Sequence, residues 1–329
     1  MNQLLSICIP TFSRPALLKQ TLTVLIDQVN KHGIPIIISD NSEDSATEKI
    51  VKELCAIYSH LVYFRNSKNI GIDRNFINVA KIAKTEWIWF FGDDDLPLPG
   101  AVDRVLSEIK NSGDVDFFLA NSKSMSSDLK KEINNNLTGF KEDTIYRDHN
   151  QALREASWYS TFIGAYIVRR ETWQSVEPSL YLDTAFVHVG IMFEAMVNKE
   201  FALKIISNPL IGYRTGNASW SGSFLQIQLK LWRQAIFNLP DKYDLNSKTI
   251  AVESVVERFV TPGTLAGTRI AGYLNWMSLR EYILPHFKWA RKNRSSTWMI
   301  LLASVVLICT PPLVLKALRK TYRRFRHGE

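Results

Sequence analysis

Cysteine is scarce, and its placement rules out chemistry built on sulfur. The three in 329 residues, Cys8, Cys55 and Cys309, have no short spacing and make an odd number. They provide neither a disulfide framework nor a thiolate metal site, and read as buried, reduced thiols of a cytosolic protein. The first fifteen residues lack a basic segment followed by an unbroken apolar stretch, and Pro10 interrupts the apolar run there, so no secretory leader is expected. The Asn-x-Ser/Thr sequons at 136–138 and 217–219 are therefore read as incidental. No internal repeat is visible. With 46% hydrophobic and 22% charged residues the chain is not a disordered one. Its length allows one large domain with an appendage, or two modest domains.

Acidic excess is also missing: the formal net charge is +8. Ten of the 40 basic residues lie from Lys288 onward (Lys288, Arg291, Lys292, Arg294, Lys316, Arg319, Lys320, Arg323, Arg324, Arg326), against Glu329 alone. The remainder has 30 basic and 31 acidic residues, a net charge of −1. The basicity belongs to a tail that surrounds an apolar run. Anionic membrane lipid suits such a tail better than nucleic acid, because no aromatic-basic interleaving appears in the body.

Along the chain, short apolar runs alternate with helical periodicity. Strands are expected at 4–9, 35–39, 61–64 and 87–91, with helices at 15–29, 46–58 and 74–84. Pro15 suits a first helical position. Further strands are expected at 115–120, 162–168 and 204–213, and a helix at 186–197. The Asn-rich stretch 122–149 reads as a mobile loop region. Beyond 223 the pattern is wholly helical, at 223–238, 248–260 and 268–290. Strands alternating with helices predict an α/β fold with a doubly wound, mostly parallel sheet, and such sheets bind ligands at the carboxyl ends of their strands. Polar clusters at Thr11, Asp40 and Asp93–Asp95 each fall at such an end.

The sharpest local feature is Phe90-Phe91-Gly92-Asp93-Asp94-Asp95. Three adjacent carboxylates repel one another unless a cation or hydrogen-bond donors hold them. In a loop after a buried strand, Asp93 and Asp95 are expected to point the same way while Asp94 turns aside. That pair makes a hard-oxygen site for Mg²⁺ or Mn²⁺, which would neutralise charge on a departing diphosphate. The bland reading is a solvated acidic turn.

Ser6-Ile7-Cys8-Ile9-Pro10-Thr11-Phe12-Ser13-Arg14, Ser39-Asp40-Asn41-Ser42, Asn69-Ile70-Gly71-Ile72-Asp73-Arg74-Asn75 and Gly92-Asp93-Asp94-Asp95 follow one another in that order. Over roughly residues 3–215 this layout resembles the family 2 glycosyltransferases with the GT-A fold, and within them bacterial O-antigen enzymes such as abequosyltransferases. The resemblance implies transfer of a hexosyl-type sugar from a nucleotide-diphosphate donor to an undecaprenyl-diphosphate-linked saccharide. It implies that Pro10, Thr11 and Arg14 line the nucleotide pocket and that Asp40 contacts base or ribose. Asn69, Gly71, Arg74 and Asn75 would shape the wall near base and diphosphate. Asp93 would lie near ribose or metal with Asp94 beside the nucleotide, and Asp95 would bind the metal. The plain alternatives are a strand end at Pro10, an Asx turn at Asp40 and a tight bend at Gly71.

One expected feature is absent. Inverting enzymes of the family usually carry an acidic pair that deprotonates the acceptor, and Tyr181–Val189 has none. Asp183 and His188 are the candidates; His188, among apolar neighbours, could equally be a core histidine. Inversion or retention stays open. Trp158, Tyr159 and Phe162 could stack on an acceptor sugar or pack the core. Trp298–Leu315 is an apolar run broken by Pro311-Pro312, with basic clusters on both flanks. An interfacial or re-entrant segment on the cytoplasmic face of the inner membrane fits it better than a spanning helix. The expected organisation is a catalytic domain at 1–215, a helical region at 216–295 and a membrane-associated tail at 296–329. Two rival readings are a sugar nucleotidyltransferase, which would need a Gly-rich basic loop where Pro10–Arg14 stands, and a catalytically inactive sugar-nucleotide-binding module.

Overall fold

The computed structural model describes residues 4–111, 113–198, 200–216, 221–290 and 297–327. The sequon at 217–219 and the basic residues Arg291, Lys292 and Arg294 lie outside them. Two compact units are present, one of residues 1–217 with 238–244, the other of 218–237 with 245–329.

The first unit opens with β1 (Leu5–Thr11), α1 (Pro15–Val29), β2 (Ile36–Asp40), α2 (Ala46–Cys55), β3 (Leu61–Arg65), α3 (Ile72–Ile82) and β4 (Trp87–Phe90). It continues with β5 (Leu96–Pro97), α4 (Ala101–Lys110), β6 (Phe117–Met125), β7 (Glu132–Asn134) and β8 (Thr144–Tyr146). It closes with α5 (His149–Ala156), β9 (Tyr166–Arg169), α6 (Arg170–Gln174), α7 (Val187–Asn198) and β10 (Leu203–Arg214). Among the described residues these strands form one sheet in the order β3-β2-β1-β4-β9-β6-β10-β5, with β7 on β6 and β8 on β10.

The apolar runs form strands because both sheet faces are covered. On β1, Ile7 and Ile9 pack with Leu18, Leu22 and Leu25 of α1. Cys8, pointing the other way at period two, meets the Val79 carbonyl of α3. Burial raises its thiol pKa far above the ordinary value, so it stays protonated. Parallel pairing sets Thr11 opposite Asp40 across β1 and β2, and Cys8 opposite Phe90 across β1 and β4. The three polar clusters therefore stand at the carboxyl ends of three adjacent strands.

Two departures from the sequence reading concern the other half of the sheet. β9 runs antiparallel to both β4 and β6, so the sheet is parallel through its first four strands and mixed beyond them. The stretch 122–149 is folded rather than a loose loop. β6 runs on to Met125, and the Asn121 amide takes up Asn136 at 2.8 Å while its oxygen accepts from the Thr138 N–H at 3.1 Å. The many Asn and Asp residues there are turn formers tied to their own backbone.

The second unit is helical: α8 (Phe224–Gln226), a π-turn at Ile227–Leu231, α9 (Trp232–Phe237), α10 (Leu245–Phe259), α11 (Pro262–Ile270) and α12 (Trp276–Ser278). A second π-turn at Leu279–Ile283 leads into α13 (Leu284–Ala290), followed by α14 (Thr297–Cys309) and α15 (Pro312–His327). Leu225, Leu229, Val256, Leu265, Leu274 and Ile283 form its core together with Ile308. The tail helices thus belong to this unit and are not a separate segment. Arg269 donates to the carbonyls of Leu307 and Ile308 at 3.2 and 2.9 Å, adding to the Thr310 N–H that Leu307 O accepts at the end of α14. Pro311-Pro312 stops the helix there, and α14 and α15 meet at a bend of 110°. Among the described residues no single helix is long and apolar enough to cross a membrane. Trp298, Met299, Leu302, Val306, Leu313, Val314 and Leu318 are exposed.

Candidate active site

The strand ends are sewn together by side chains. Thr11 Oγ1 donates to Asp93 Oδ2 at 2.7 Å, and Arg14 Nη1 reaches Asp93 Oδ1 at 3.3 Å and Asp94 Oδ2 at 2.6 Å. The Asn75 amide donates to the carbonyls of Ser39 and Thr11 at 3.1 and 3.4 Å, while Asn41 donates to Gly71 O at 3.2 Å. Asn69 Oδ1 accepts from the Gly71 N–H at 3.0 Å, shaping the entry to α3. Gly71 has φ 83 and ψ 163, a conformation almost confined to glycine. Pro10 lies within β1 opposite Ser39.

Asp40 is fully buried and forms an Asx turn: Oδ1 accepts from Ser42 N at 2.8 Å and Ser42 Oγ at 2.5 Å, and Oδ2 from the Tyr63 hydroxyl at 2.8 Å. Beside this cap is a hollow of about 460 Å³ lined by Ser42, Glu43, Arg65, Asn66, Ser67 and Lys68.

The acidic loop is arranged differently from the expectation. Arg14 draws Asp94 to Asp93, so Asp94 does not turn aside. Asp95 faces β10, where its Oδ1 accepts from Arg214 N at 3.0 Å. Among the described residues nothing donates to its other oxygen. The loop curls so tightly that a Cβ on Gly92 would fall 2.5 Å from Asp95 Oδ2, so a larger residue there would push that carboxylate aside. Thr21 Oγ1 donates to the carbonyls of Asp93 and Asp95 at 3.2 and 2.8 Å. Arg214 Nε donates to Asp94 O at 2.8 Å, and its other nitrogens hold Ser127 O at 2.7 Å and Gln20 Oε1 at 2.8 Å.

Asp93 and Asp95 are 8% and 2% exposed. Burial, reinforced by the Asp94 charge, pushes the Asp93 carboxyl up to about 6 and that of Asp95 well above the usual range. Negative charge is thus crowded here beyond what Arg14 offsets. Because the folded-state pKa of Asp93 exceeds the unfolded value, the folded state holds the proton more tightly. Its contribution to stability is complete below about pH 4 and is lost as pH rises through about 6, roughly 3 kcal/mol at most. Unfolding in denaturant with EDTA should show native protein losing stability relative to Asp93→Asn between pH 4.5 and 7.5. A difference that stays flat with pH would refute this.

A second carboxylate region adjoins α3. Asp73, buried, accepts from the backbone N–H groups of Ala185 at 2.9 Å and Val187 at 3.2 Å, bracing the entry to α7. Two residues of that turn, Asp183 (φ 61) and Ala185 (φ 65), are left-handed, and strain of this kind concentrates at functional positions. Asp183 is presented outward, its side chain 73% exposed, and Arg74 grips it bidentately at 2.5 and 3.2 Å. That hydrogen-bonded pairing lowers the Asp183 carboxyl pKa. Glu194 is occupied by the Tyr181 hydroxyl at 2.6 Å.

His188 is not placed where a base for an acceptor would stand. It is 2% exposed, with ring contacts to Phe76, Tyr166 and Phe186, and neither nitrogen makes a well-formed hydrogen bond. Burial lowers its pKa to about 3 although the backbone of Thr161 and Ser160 favours the proton, so it is neutral. It packs as a core histidine. Tyr159 is also buried, its hydroxyl donating to Ala120 O at 2.7 Å, whereas Trp158 and Phe162 are partly exposed.

The sequence model described as glycosyl transferase family 2 matches residues 6–171. The chain belongs to that family. It is 28% identical to abequosyltransferase RfbV of Salmonella typhimurium over 66% of this chain and 68% of the relative. It is 30% identical to the GalNAc(5)-diNAcBac-PP-undecaprenol beta-1,3-glucosyltransferase of Campylobacter jejuni, over 32% of this chain and 34% of that one. Among solved structures, S. aureus TarS 1–349 in complex with UDP-GlcNAc aligns with a TM-score of 0.58 at 13% identity, covering 97% of this chain and 92% of that one. The mannosyltransferase PcManGT of Pyrobaculum calidifontis, in complex with GDP-Man and Mn²⁺, aligns at 0.55 with 14% identity, covering 93% and 85%. These structures share the fold of the glycosyltransferase.

The family match spans β1 to the start of α6 and with it all four motifs. Asp183, His188 and Arg214 lie beyond it. Of the residues that build the site, sequence reasoning missed Thr21, Tyr63, Asp73 and Arg214. Arg214 ends an apolar strand, which is the one local sign it gives.

Proposed function

We propose that this glycosyltransferase moves a hexosyl-type sugar from a nucleoside-diphosphate donor to a hydroxyl of an undecaprenyl-diphosphate-linked saccharide, in O-antigen or related surface-polysaccharide synthesis. The observation that carries the reading is the joining of the β1, β2 and β4 ends and the head of α3 around three carboxylates. The name of the Salmonella relative supports sugar transfer, that of the Campylobacter relative supports the acceptor class, and the sugar nucleotides bound in the two solved structures support the donor class.

Asp93 and Asp95 would hold a divalent cation, Mg²⁺ or Mn²⁺: both are buried acids whose ionised form is disfavoured without a counter-charge, and one Asp95 oxygen has no donor among the described residues. When bound, such an ion neutralises charge on the departing diphosphate. Thr11 and Arg14 hold Asp93 in place for that task, and Arg214 fixes the loop from behind. The hollow beside Asp40 and Ser42, walled by Glu43, Arg65, Asn66, Ser67 and Lys68, takes the base and ribose, while Asn69, Gly71 and Asn75 shape the entry to α3.

Asp183 takes the proton from the acceptor hydroxyl. Arg74 now holds it ionised; a donor phosphate competing for the same guanidinium loosens that pair and makes the carboxylate a stronger base. The exposed apolar residues of α14 and α15, with the basic flanks, rest on anionic lipid at the cytoplasmic membrane face, peripherally or as a re-entrant pair. A panel of nucleotide sugars offered with membrane extract and Mg²⁺ or Mn²⁺ tests the reading. Label should move from one donor into lipid-linked saccharide, and binding of every donor without transfer would leave only a binding module.

A further inference from the structure

The helical unit contains a cavity of about 530 Å³ lined by Lys230, Arg233, Gln234, Phe237, Pro285 and Trp289, a size usual for small-ligand sites. Two π-turns lead into it. Ile227–Leu231 immediately precedes α9, which carries Arg233, Gln234 and Phe237, and Leu279–Ile283 immediately precedes α13, which carries Pro285 and Trp289. Pro285 has no N–H and its ring would collide with the carbonyl of residue 281 in a regular helix; the wider turn relieves that conflict. Such turns are found frequently at functional sites.

The charges in this cavity are one-sided. Arg233 is partly buried, and among the described residues no carboxylate pairs with it. Its neighbours are the Pro285 carbonyl, a long 3.5 Å from Nη1, and the Trp289 ring, 5.7 Å from Cζ. Most of its five N–H donors are therefore unspent. Burial also lowers its pKa, as expected of a desolvated cation with no counter-charge. Lys230 stands exposed one turn earlier, His286 beside Trp289 is buried and neutral, and among the described residues no anion pairs with either cation. Packing on Trp289 alone would not call for a second cation or leave a guanidinium fork open. Phe237 meets Trp289 edge-on at 5.7 Å, which fixes the ring as a wall.

We propose that this cavity binds a phosphate or diphosphate group, Arg233 gripping the oxygens and Lys230 adding charge at the rim, with Trp289 offering its face to the ring or chain attached to that phosphate. Planar guanidinium forks and phosphate oxygens match in geometry and charge. The assignment concerns the helical unit alone and does not depend on the donor chemistry proposed above.

Calorimetric titration of the full chain in EDTA, which leaves the carboxylate cluster without a cation to attract phosphate, tests it with two probes, inorganic pyrophosphate and geranyl diphosphate. Both should bind, and Arg233→Gln should weaken each by about tenfold or more. Lys230→Gln, an exposed change with little bearing on folding, should weaken them several-fold, and nucleotide binding measured separately with Mn²⁺ should be unchanged in both variants. Tighter binding of geranyl diphosphate assigns the site to a lipid-borne diphosphate, and equal binding to a soluble phosphate. Absence of binding, or affinities that neither variant alters, would overturn the proposal. A chain that binds both probes yet transfers no sugar would leave this site standing and remove only the catalytic reading.

Discussion

Asp95→Asn should lower sugar transfer at least about a hundredfold while leaving the fold intact or firmer at neutral pH. The loss follows if this carboxylate helps neutralise the leaving diphosphate, since groups that stabilise developing charge typically contribute that much. The stability expectation has a separate origin. Asp95 is buried beside Asp94 and its carboxyl pKa is raised, so ionising it costs stability in cation-free protein. Asparagine keeps an oxygen to accept from Arg214 N, so the link to β10 survives. Transfer rates and thermal midpoints in EDTA, compared between native and variant, read the two effects independently. Full activity in Asp95→Asn would remove the residue from the chemistry, and a collapsed midpoint would mean that the loop depends on the charge it holds.

Asp183→Asn should reduce kcat by about a hundredfold or more, the usual range for a lost general base, with donor binding preserved. Its exposure makes the substitution structurally mild, and an exposed ion pair such as Arg74–Asp183 stabilises little. The pH profile carries the finer signature. Arg74 lowers the Asp183 pKa, so the carboxylate is ionised through neutral pH and the acid limb of kcat/KM should lie below the ordinary aspartate range. Arg74→Ala removes that influence, and the limb should move upward. An acid limb that does not respond to Arg74→Ala, or an Asp183→Asn enzyme at native rate, would assign the proton to another group.

The parts of this molecule that a reader could find in the sequence are those encoded within a few residues of one another. Apolar runs ending in Pro10-Thr11, Asp40-Asn41 and Gly92-Asp93 gave both the strands and the edge of the sheet at which they converge. What escaped was encoded across distance. Arg214 carries no local mark of its bonds to Gln20 and Asp94, nor does Asp73 announce that it braces a turn 112 residues later. Strand direction is equally silent: Tyr166–Arg169 is apolar read either way, and its antiparallel course is set by connections. The Asn-rich stretch 122–149 looked loose because polar composition marks turns and loops alike, and only the bonds of Asn121 and Asn136 distinguish them. His188 had two readings in sequence because an imidazole among apolar residues suits a catalytic pocket and a core equally. The aromatic rings packed around it favour the core.

The bond between Asp95 and the backbone of Arg214 spans 119 residues, and this orders events as the chain is made. The acidic loop leaves the ribosome long before its anchor does, and until β10 docks it is shaped from the side of β1 and α1, by Thr11, Arg14 and Thr21. A nascent chain therefore cannot present a finished donor cleft while most of the sheet is already laid down. The acidic loop takes its final shape only when the last strand is in place.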